Sequence, residues 1–295
     1  MDTVTVEASF ALGYGQNEAL AWSSSSLDDI LMLLTQTASS HTDRAATLLL
    51  LLDAVLMNSH LWHQVIPVAT LVADAASRAR DPRSEGRARY ILSGALTQVG
   101  RLSEAEDQVN RAVEASRDLE ALVLGNGVQT RLRMEGMDEQ TVSDSLRQEQ
   151  LFRQLGDRQG EAFAHYRHGQ VLARQGLPAD AVSAYRQALD LLQEGEQDFV
   201  RAACLIRLSE AYAQLHRYQS ARRSADEGLL LARAVRHEHL EAVALRARGD
   251  ASFADGLAKE AAHHWHQALG ILRHLGFESE AVSVEARIET GYPPA

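Results

Sequence analysis

The sequence predicts an all-α fold, a solenoid of stacked helical hairpins, and three observations support this prediction. The segment Glu161–Leu192 carries Ala181, Tyr185 and Ala188 at i, i+4 and i+7, which is the spacing of one helix face. The same spacing returns at a period of about 40 residues, before and after this segment. Five prolines in 295 residues also leave long stretches without a helix breaker.

Each repeat has a small residue in its first helix and a turn residue, followed by small, bulky and small residues in its second helix. The five sets, in chain order, are Ser93, Gly100, Ala105, Val109 and Ala112; Gln129, Gly136, Thr141, Ser145 and Gln148; Gly169, Gly176, Ala181, Tyr185 and Ala188; Ser209, His216, Ala221, Ala225 and Gly228; and Gly249, Gly256, Ala261, Trp265 and Ala268. These sets resemble the signature of the tetratricopeptide repeat (TPR). The resemblance implies a right-handed superhelix of helical hairpins.

The small positions mark close contacts between helices. A hairpin cannot bury its apolar stripe alone, so neighbouring hairpins stack, and small residues let helix axes approach to about 8–10 Å. We also expect left-handed residues just past helix ends. These are Gly100, Gly136, Gly176 and Gly256, which follow first helices. A second set of glycines closes second helices: Gly156, Gly195 (one residue early) and Gly276. Arg236 occupies the second-helix place in the repeat between.

The chain divides into a short start, a capping region and a regular array. The capping region contains a helix over about 27–38, a helix capped by Thr42 or Asp43, and a helix over about 61–80 that Asp81-Pro82 ends. The predicted domains are 1–16 as a linker or an added terminal segment, 17–80 as N-terminal capping helices with a degenerate repeat, 81–289 as the TPR array and 290–295 as a tail.

Composition excludes several function classes. The formal net charge of −11 argues against a broad surface for duplex DNA, which requires clustered Lys and Arg. Cys204 is the only cysteine, so no internal disulfide forms and a reducing cytoplasm is expected. The apolar run Ala45–Met57 is shorter than the roughly 18 residues of a membrane span, so we expect no membrane partner.

The sequence contains no recognisable catalytic motif. Neither G-x-S-x-G nor H-E-x-x-H nor the phosphate loop G-x-x-x-x-G-K-[ST] occurs. His263 and His266 share one side of a helix, but their spacing is not that of a structural metal site, and we interpret them as surface residues beside Trp265. We therefore predict no enzyme activity, no catalytic residues, no metal and no cofactor.

The predicted binding surface is the concave face of the array, lined by first helices. With the small residue of each first helix numbered 8, positions 5, 9 and 12 or 13 should project into this groove. The candidate residues are Tyr90, Asn126, Thr130, Arg133, Tyr166, Gln170, Arg174, Glu210, Gln214, Arg246 and Asp250. Their arginines can hold a carboxylate or phosphate in bidentate fashion, and their amides can read a peptide backbone. The alternative is an ordinary solvated helix face in an Arg-rich chain.

One repeat is more polar than the others at positions that should be buried. These positions hold Gln129, Thr141, Ser145 and Gln148. Because unpaired buried polar groups cost stability, either this repeat is looser and bends the superhelix, or its polar residues meet a partner. The sequence leaves both explanations open.

Four segments carry a more specific resemblance: EALAW (18–22), GRLSEA (100–105), LGDRQGEA (155–162) and HWHQALGILRHLG (264–276). They resemble the C-terminal TPR region of Streptomyces antibiotic regulatory proteins (SARPs) and related STAND-class regulators. The resemblance implies a sensor domain in the control of antibiotic or secondary-metabolite genes. It would bind a protein or peptide segment, such as an ATPase domain of the same polypeptide, or a small-molecule effector, without contacting nucleic acid directly. A free-standing TPR adaptor or peptide-pheromone receptor is the alternative.

Overall fold

The computed structural model describes residues 28–52, 62–117, 119–134, 138–192 and 198–290, and within these residues all regular structure is helical. The helices are α1 (28–37), α2 (Thr42–Leu51), α3 (Trp62–Ala79), α4 (Pro82–Gln98), α5 (Leu102–Ala115), α6 (Glu120–Arg133), α7 (Glu139–Leu155), α8 (Arg158–Arg174), α9 (Pro178–Leu191), α10 (Asp198–Gln214), α11 (Tyr218–Ala234), α12 (Glu238–Ala254), α13 (Ala258–Leu275) and α14 (Glu278–Thr290). The predicted all-α, TPR-type fold is confirmed. The predicted 1–16 segment lies outside the described residues.

The chain forms two compact units, Met1–Leu151 and Phe152–Ala295. In the first unit, the described hairpins α2/α3 and α4/α5 share one apolar core that extends from Leu31 to Val123. The second unit contains the hairpins α8/α9, α10/α11 and α12/α13, followed by α14. Its apolar clusters are centred on the second-helix aromatic residues Tyr185 and Trp265 and on Cys204.

The predicted helix boundaries are close to those observed at the start of the array. Asp81 caps α4 by accepting a hydrogen bond from the Ser84 backbone N–H at 3.2 Å, and Pro82 is the first residue of that helix. The expected cap at Thr42 or Asp43 is wrong, because His41 precedes α2 and makes no side-chain cap. The polypeptide there is held by backbone hydrogen bonds instead.

Glycines in two first helices make room for the aromatic residue of the facing second helix. A Cβ atom placed on Gly169 would lie 2.5 Å from Tyr185 Cε1, and one on Gly249 would lie 2.4 Å from Trp265 Cδ1. Both rings are almost fully buried. The small first-helix residue and the bulky second-helix residue of these repeats therefore form one contact, as the sequence pattern predicts.

Positive φ angles recur at the predicted turns. The glycines have φ values of 79° (Gly100), 69° (Gly156), 74° (Gly176), 80° (Gly256) and 76° (Gly276), while Gly136 and Gly195 lie outside the described residues. Three described residues with side chains also have positive φ just past a helix end, Arg80 with φ 57°, His216 with φ 57° and Arg236 with φ 53°. The repeat therefore fixes the backbone conformation even where the sequence lacks the glycine that adopts it most easily.

The polar repeat pairs several of its buried groups internally. Arg131 donates from Nε to Thr141 Oγ1 at 3.0 Å and forms an ion pair with Asp144. Gln148 donates from Nε2 to the Ala121 carbonyl oxygen at 2.9 Å, so α7 is tied to α6. Arg131 and the Ala121 carbonyl thus satisfy part of this polarity within the hairpin, whereas Gln148 Oε1 is buried without a hydrogen-bond partner in the described residues. A looser repeat and a partner at these positions both stay predictions.

Candidate functional site

Charged side chains join the first helices of the second unit. Arg246 on α12 donates from Nη2 to Glu210 Oε1 on α10 at 2.8 Å. Arg207, one turn before Glu210, donates from Nη1 to the other carboxylate oxygen at 2.8 Å. Glu210 thus lies between two guanidinium groups, one on its own helix and one on the next first helix.

The alternation of charges continues along α12 to α14. Arg246 Nη1 lies 3.5 Å from Asp250 Oδ2, and Arg287 on α14 donates from Nε to Asp250 Oδ1 at 2.9 Å. Trp265 Nε1 donates to the same Asp250 oxygen at 2.9 Å. We call the alternating residues Arg207, Glu210, Arg246, Asp250 and Arg287 the charge ladder.

The two acidic members of the charge ladder differ in their electrostatics. Burial by itself would raise the pKa of Glu210, but Arg207 and Arg246 outweigh it and lower the pKa to about 2. Burial raises the pKa of Asp250, and Arg246 and Arg287 only partly oppose this effect. Glu210 is therefore firmly ionised at neutral pH, while the charge of Asp250 depends on its two arginine partners.

The charge ladder remains partly accessible to solvent. The side chains of Glu210, Arg246 and Asp250 are 27%, 21% and 19% exposed. A partner can therefore reach these groups without unfolding of the repeats. Because the charges are already paired, an incoming charged group must exchange with a resident one.

Tyr166 and Gln170 on α8 lie at the start of this surface. Gln170 donates from Nε2 to Tyr166 Oη at 3.1 Å. Burial raises the pKa of the Tyr166 phenol, although the neighbouring Arg207 works in the opposite direction. Tyr166 therefore stays a neutral phenol beside the cationic end of the charge ladder.

The corresponding positions of the first unit carry neutral groups. Asn126 on α6 donates from Nδ2 to the Tyr90 carbonyl oxygen at 3.0 Å and to Ser93 Oγ at 3.1 Å, both on α4. The hydroxyls of Thr97 and Thr130 lie 2.6 Å apart. We call Tyr90, Ser93, Thr97, Asn126 and Thr130 the neutral ladder.

The predicted groove positions therefore mainly connect consecutive first helices. The expectation that Thr130 projects into a groove is wrong, because its side chain is fully buried between α4 and α6; Tyr90 is also buried. Arg133 is exposed but donates to the Thr97 carbonyl oxygen at 2.9 Å and to Gln98. Arg174 and Gln214 are exposed near the ends of α8 and α10. The structure brings together only Glu210, Arg246 and Asp250 as a charged set.

Sequence reasoning missed two members of the charge ladder. Arg207 and Arg287 each lie one residue after position 5, so the position rule passed over them. The available signal was an arginine three residues before Glu210, a spacing that brings two side chains together on a helix. No comparable local signal identifies Arg287, whose partner Asp250 is on another helix.

Histidine, cysteine and acidic side chains are the candidate metal ligands of the described residues. Among them, no group of three or more His, Cys, Asp and Glu side chains is arranged to hold a metal ion. Cys204 is buried, and burial raises the pKa of its thiol, so it packs as a small apolar residue. None of the described helices is long and apolar enough to cross a membrane.

Comparison with known proteins identifies the type of region to which this fold corresponds. No protein-family model matches the chain. It is 26% identical over 299 residues to Regulatory protein AfsR of Streptomyces griseus, an alignment that covers 90% of this chain and 31% of that protein. The resemblance to the TPR region of a SARP/STAND-type regulator is confirmed. The chain spans less than a third of the length of this relative.

Solved structures support the same fold. A STAND protein with a tetratricopeptide repeat sensor from Pyrococcus horikoshii superimposes with a TM-score of 0.51 at 13% identity, covering 90% of this chain and 47% of that chain. BtubC (BKLC) from P. vanneervenii gives a TM-score of 0.57 at 14% identity over 73% of this chain and 92% of that chain. These structures therefore support a helical-repeat fold for this chain.

Proposed function

We propose that this chain is the sensor and interaction region of a SARP/STAND-type transcriptional regulator. In this role it binds a protein segment on the first helices of the unit Phe152–Ala295. The charge ladder is the observation that carries the proposal, because it presents alternating, partly exposed charges across three consecutive first helices. The similarity to AfsR supports the regulatory context, and the STAND protein with a TPR sensor supports the sensing role.

The charge ladder would recognise its partner by exchange of ion pairs. A carboxylate of the incoming segment can replace Glu210 or Asp250 on Arg246, and a guanidinium or ammonium group can take the released acid. The charges of the ladder are already partly desolvated in the folded unit, so the exchange adds little desolvation cost on this side. Because each broken ion pair releases one acid and one arginine, a segment that carries both negative and positive groups is favoured. An ATPase domain of the same polypeptide is the first candidate partner, and a small-molecule effector would bind by the same chemistry.

Binding of this kind regulates only if it distinguishes two states. A ligand shifts an equilibrium by the difference between its affinities for the two conformations. The proposed function is recognition in the cytoplasm, without catalysis. It involves no direct contact with nucleic acid, in agreement with the net charge of −11. DNA binding and nucleotide hydrolysis would then belong to other parts of the regulator.

The first experiment is an immunoblot of the native gene product with an antibody against this chain. A regulator of this class predicts a polypeptide much heavier than 32.4 kDa. A native product of 32.4 kDa would contradict the proposal and favour a free-standing adaptor or peptide-pheromone receptor.

The second experiment tests the surface. The remaining part of the regulator, added in trans, should bind this chain, and Arg246→Met should weaken binding by about tenfold through loss of a charge-assisted contact. Arg222→Met is the matched control, because Arg222 forms an ion pair of similar exposure with Asp255 at 2.8 Å but starts from a second helix. Equal effects of the two variants would place the partner elsewhere.

A further inference from the structure

A cavity of about 200 Å³ lies in the first unit, on the side of α4 that faces α3 and α5. Its apolar wall is formed by Ile66, Ala73, Leu92 and Leu96. An engineered apolar cavity of about 150 Å³ is large enough to bind benzene. A molecule the size of one ring therefore fits this space.

One buried cation lines the same cavity. Arg89 is only 1% exposed, and it donates from Nε to Glu85 Oε1 at 2.8 Å and from Nη1 to Gln108 Oε1 at 2.6 Å. Its Nη2 atom lies 2.7 Å from Glu85 Oε1 as an ion pair but makes no hydrogen bond within the described residues. A buried guanidinium with an unused donor is costly, so an oxygen acceptor in the cavity would be stabilised there.

The repeat itself does not require a cation at this position. The places equivalent to Arg89 in the other four repeats hold Gly125, His165, Leu205 and Leu245, and all four are buried. Leucine fills this space without the cost of desolvating a charge. Among the five repeats only this one has an arginine at this position, and packing alone does not demand it.

The rim of the cavity adds further positive charge. Arg101 is occupied by a two-point contact with Glu104, at 2.7 and 2.6 Å. Arg111 is exposed and has no ion-pair partner among the described residues. With Glu85, which forms an ion pair with Arg89, the three arginines Arg89, Arg101 and Arg111 stand against three acids. The local charges therefore balance, and Arg111 is the arginine of the lining that an incoming anion can pair with.

We propose that this cavity binds a small carboxylate with an apolar body. The carboxylate accepts hydrogen bonds from Arg89 Nη2 and from Arg111 at the rim, and the apolar body lies against Ala73, Leu92 and Leu96. This site uses the contact between α3, α4 and α5 and none of the charge-ladder residues. Its failure would consequently leave the proposed partner surface untouched.

Methyl-detected NMR of the full chain tests the site directly. Benzoate and hexanoate, titrated to about 10 mM, should give saturable shifts of the Ala73, Leu92 and Leu96 methyl signals. Benzyl alcohol has the same ring without the charge, and it should bind at least tenfold more weakly than benzoate because it lacks the charge-assisted hydrogen bond. The absence of saturable shifts at these methyls with both carboxylates overturns the proposal.

Variants separate the site from a general effect on folding. Thr70→Phe places a ring at the exposed rim and should abolish binding, while Arg111→Ala should weaken it by about tenfold. Arg78→Ala removes an exposed arginine of α3 that does not line the cavity, and it should leave the affinity unchanged. Binding that survives Thr70→Phe, or that Arg78→Ala and Arg111→Ala weaken equally, would overturn the assignment.

Discussion

At two equivalent places of the repeat, the first helices are joined by neutral hydrogen bonds in the first unit and by ion pairs in the second. Asn126 and Arg246 occupy the same repeat position, and so do Thr130 and Asp250. The former pair contacts α4 through an amide and a hydroxyl, and the latter pair binds charged partners. The repeat therefore fixes where consecutive first helices meet, whereas the local sequence decides the chemistry of the contact.

This difference has a functional consequence. The Thr97–Thr130 contact is dry and carries no charge, so it stabilises the first unit under most solution conditions. The charge ladder is partly exposed and titratable, so pH, salt and a charged partner can all alter it. A surface that must respond to a partner is better built from the second kind of contact.

Of the substitutions that test the difference between the two ladders, Asp250→Ala should have the largest effect on the free energy of unfolding. Asp250→Ala leaves the nearly buried Arg287 and the indole N–H of Trp265 without their shared acceptor. We expect a loss of about 3 kcal/mol in the free energy of unfolding, at the lower end for a disrupted buried ion pair because Asp250 is partly exposed. Urea unfolding is followed by Trp265 fluorescence after the other two tryptophans are replaced by phenylalanine.

The control for this variant is Asp255→Ala. Asp255 and Arg222 form an ion pair in which both side chains are about 30% exposed, so its loss should cost less than about 1 kcal/mol. If the two substitutions cost the same, the charge ladder is only a set of ordinary surface ion pairs.

Displacing the Trp265 ring should damage the charge ladder indirectly. Gly249→Ala puts a Cβ atom 2.4 Å from Trp265 Nε1, the atom that donates to Asp250. We expect a cost of about 2 kcal/mol from overpacking, measured by the same urea experiment. Gly270→Ala provides the control on α13, since its Cβ would meet nothing within 4 Å, and it should stabilise the helix by up to about 1 kcal/mol.

The local features of this fold were predictable because they depend on nearby residues. The stripe around Tyr185 and the left-handed turn at Gly176 follow from helix periodicity and backbone sterics. The positive φ of Arg236 was not predicted, although this residue occupies a place that holds glycine in other repeats. These predictions require only the period of the repeat.

The chemistry of the candidate site was not predictable in the same way. Whether Arg246 faces a ligand or Glu210 depends on the register and rotamers of two helices that are far apart in sequence. Burial of Arg89 likewise depends on the space that α3 and α5 leave, and composition alone cannot distinguish it from surface arginines. Sequence patterns therefore located the contact positions but could not assign their partners.

The pH dependence should differ between the two ladders. The pKa of Glu210 is about 2 in the folded protein, below its ordinary value of 4.5, so folding favours the charged form. This stabilisation is complete above about pH 4.5 and is lost as the pH falls toward 2. We expect it to contribute about 1–2 kcal/mol, less than the full shift implies, since the side chain is 27% exposed.

Glu210→Gln tests this contribution. The variant should lose less stability than the native chain between pH 5 and pH 2, measured by urea unfolding at each pH. Asp250 changes in the opposite sense, because a raised pKa stabilises the folded state at low pH and this effect is lost as the pH rises. If the free energy of unfolding falls equally in the two proteins between pH 5 and pH 2, the ion pairs of Glu210 with Arg207 and Arg246 do not stabilise the folded state.

The smallest expected effect belongs to the neutral ladder. Thr130→Val removes a hydroxyl that lies 2.6 Å from the Thr97 hydroxyl, and we expect a cost of about 1 kcal/mol in the free energy of unfolding. Replacing both threonines by valine removes donor and acceptor together, so the double variant should cost less than the sum of the two single variants. A double-mutant cycle by urea unfolding measures this coupling at pH 7 and pH 4. If the Thr97–Thr130 coupling changes with pH, the contact is linked to a titrating group and the contrast with the charge ladder fails.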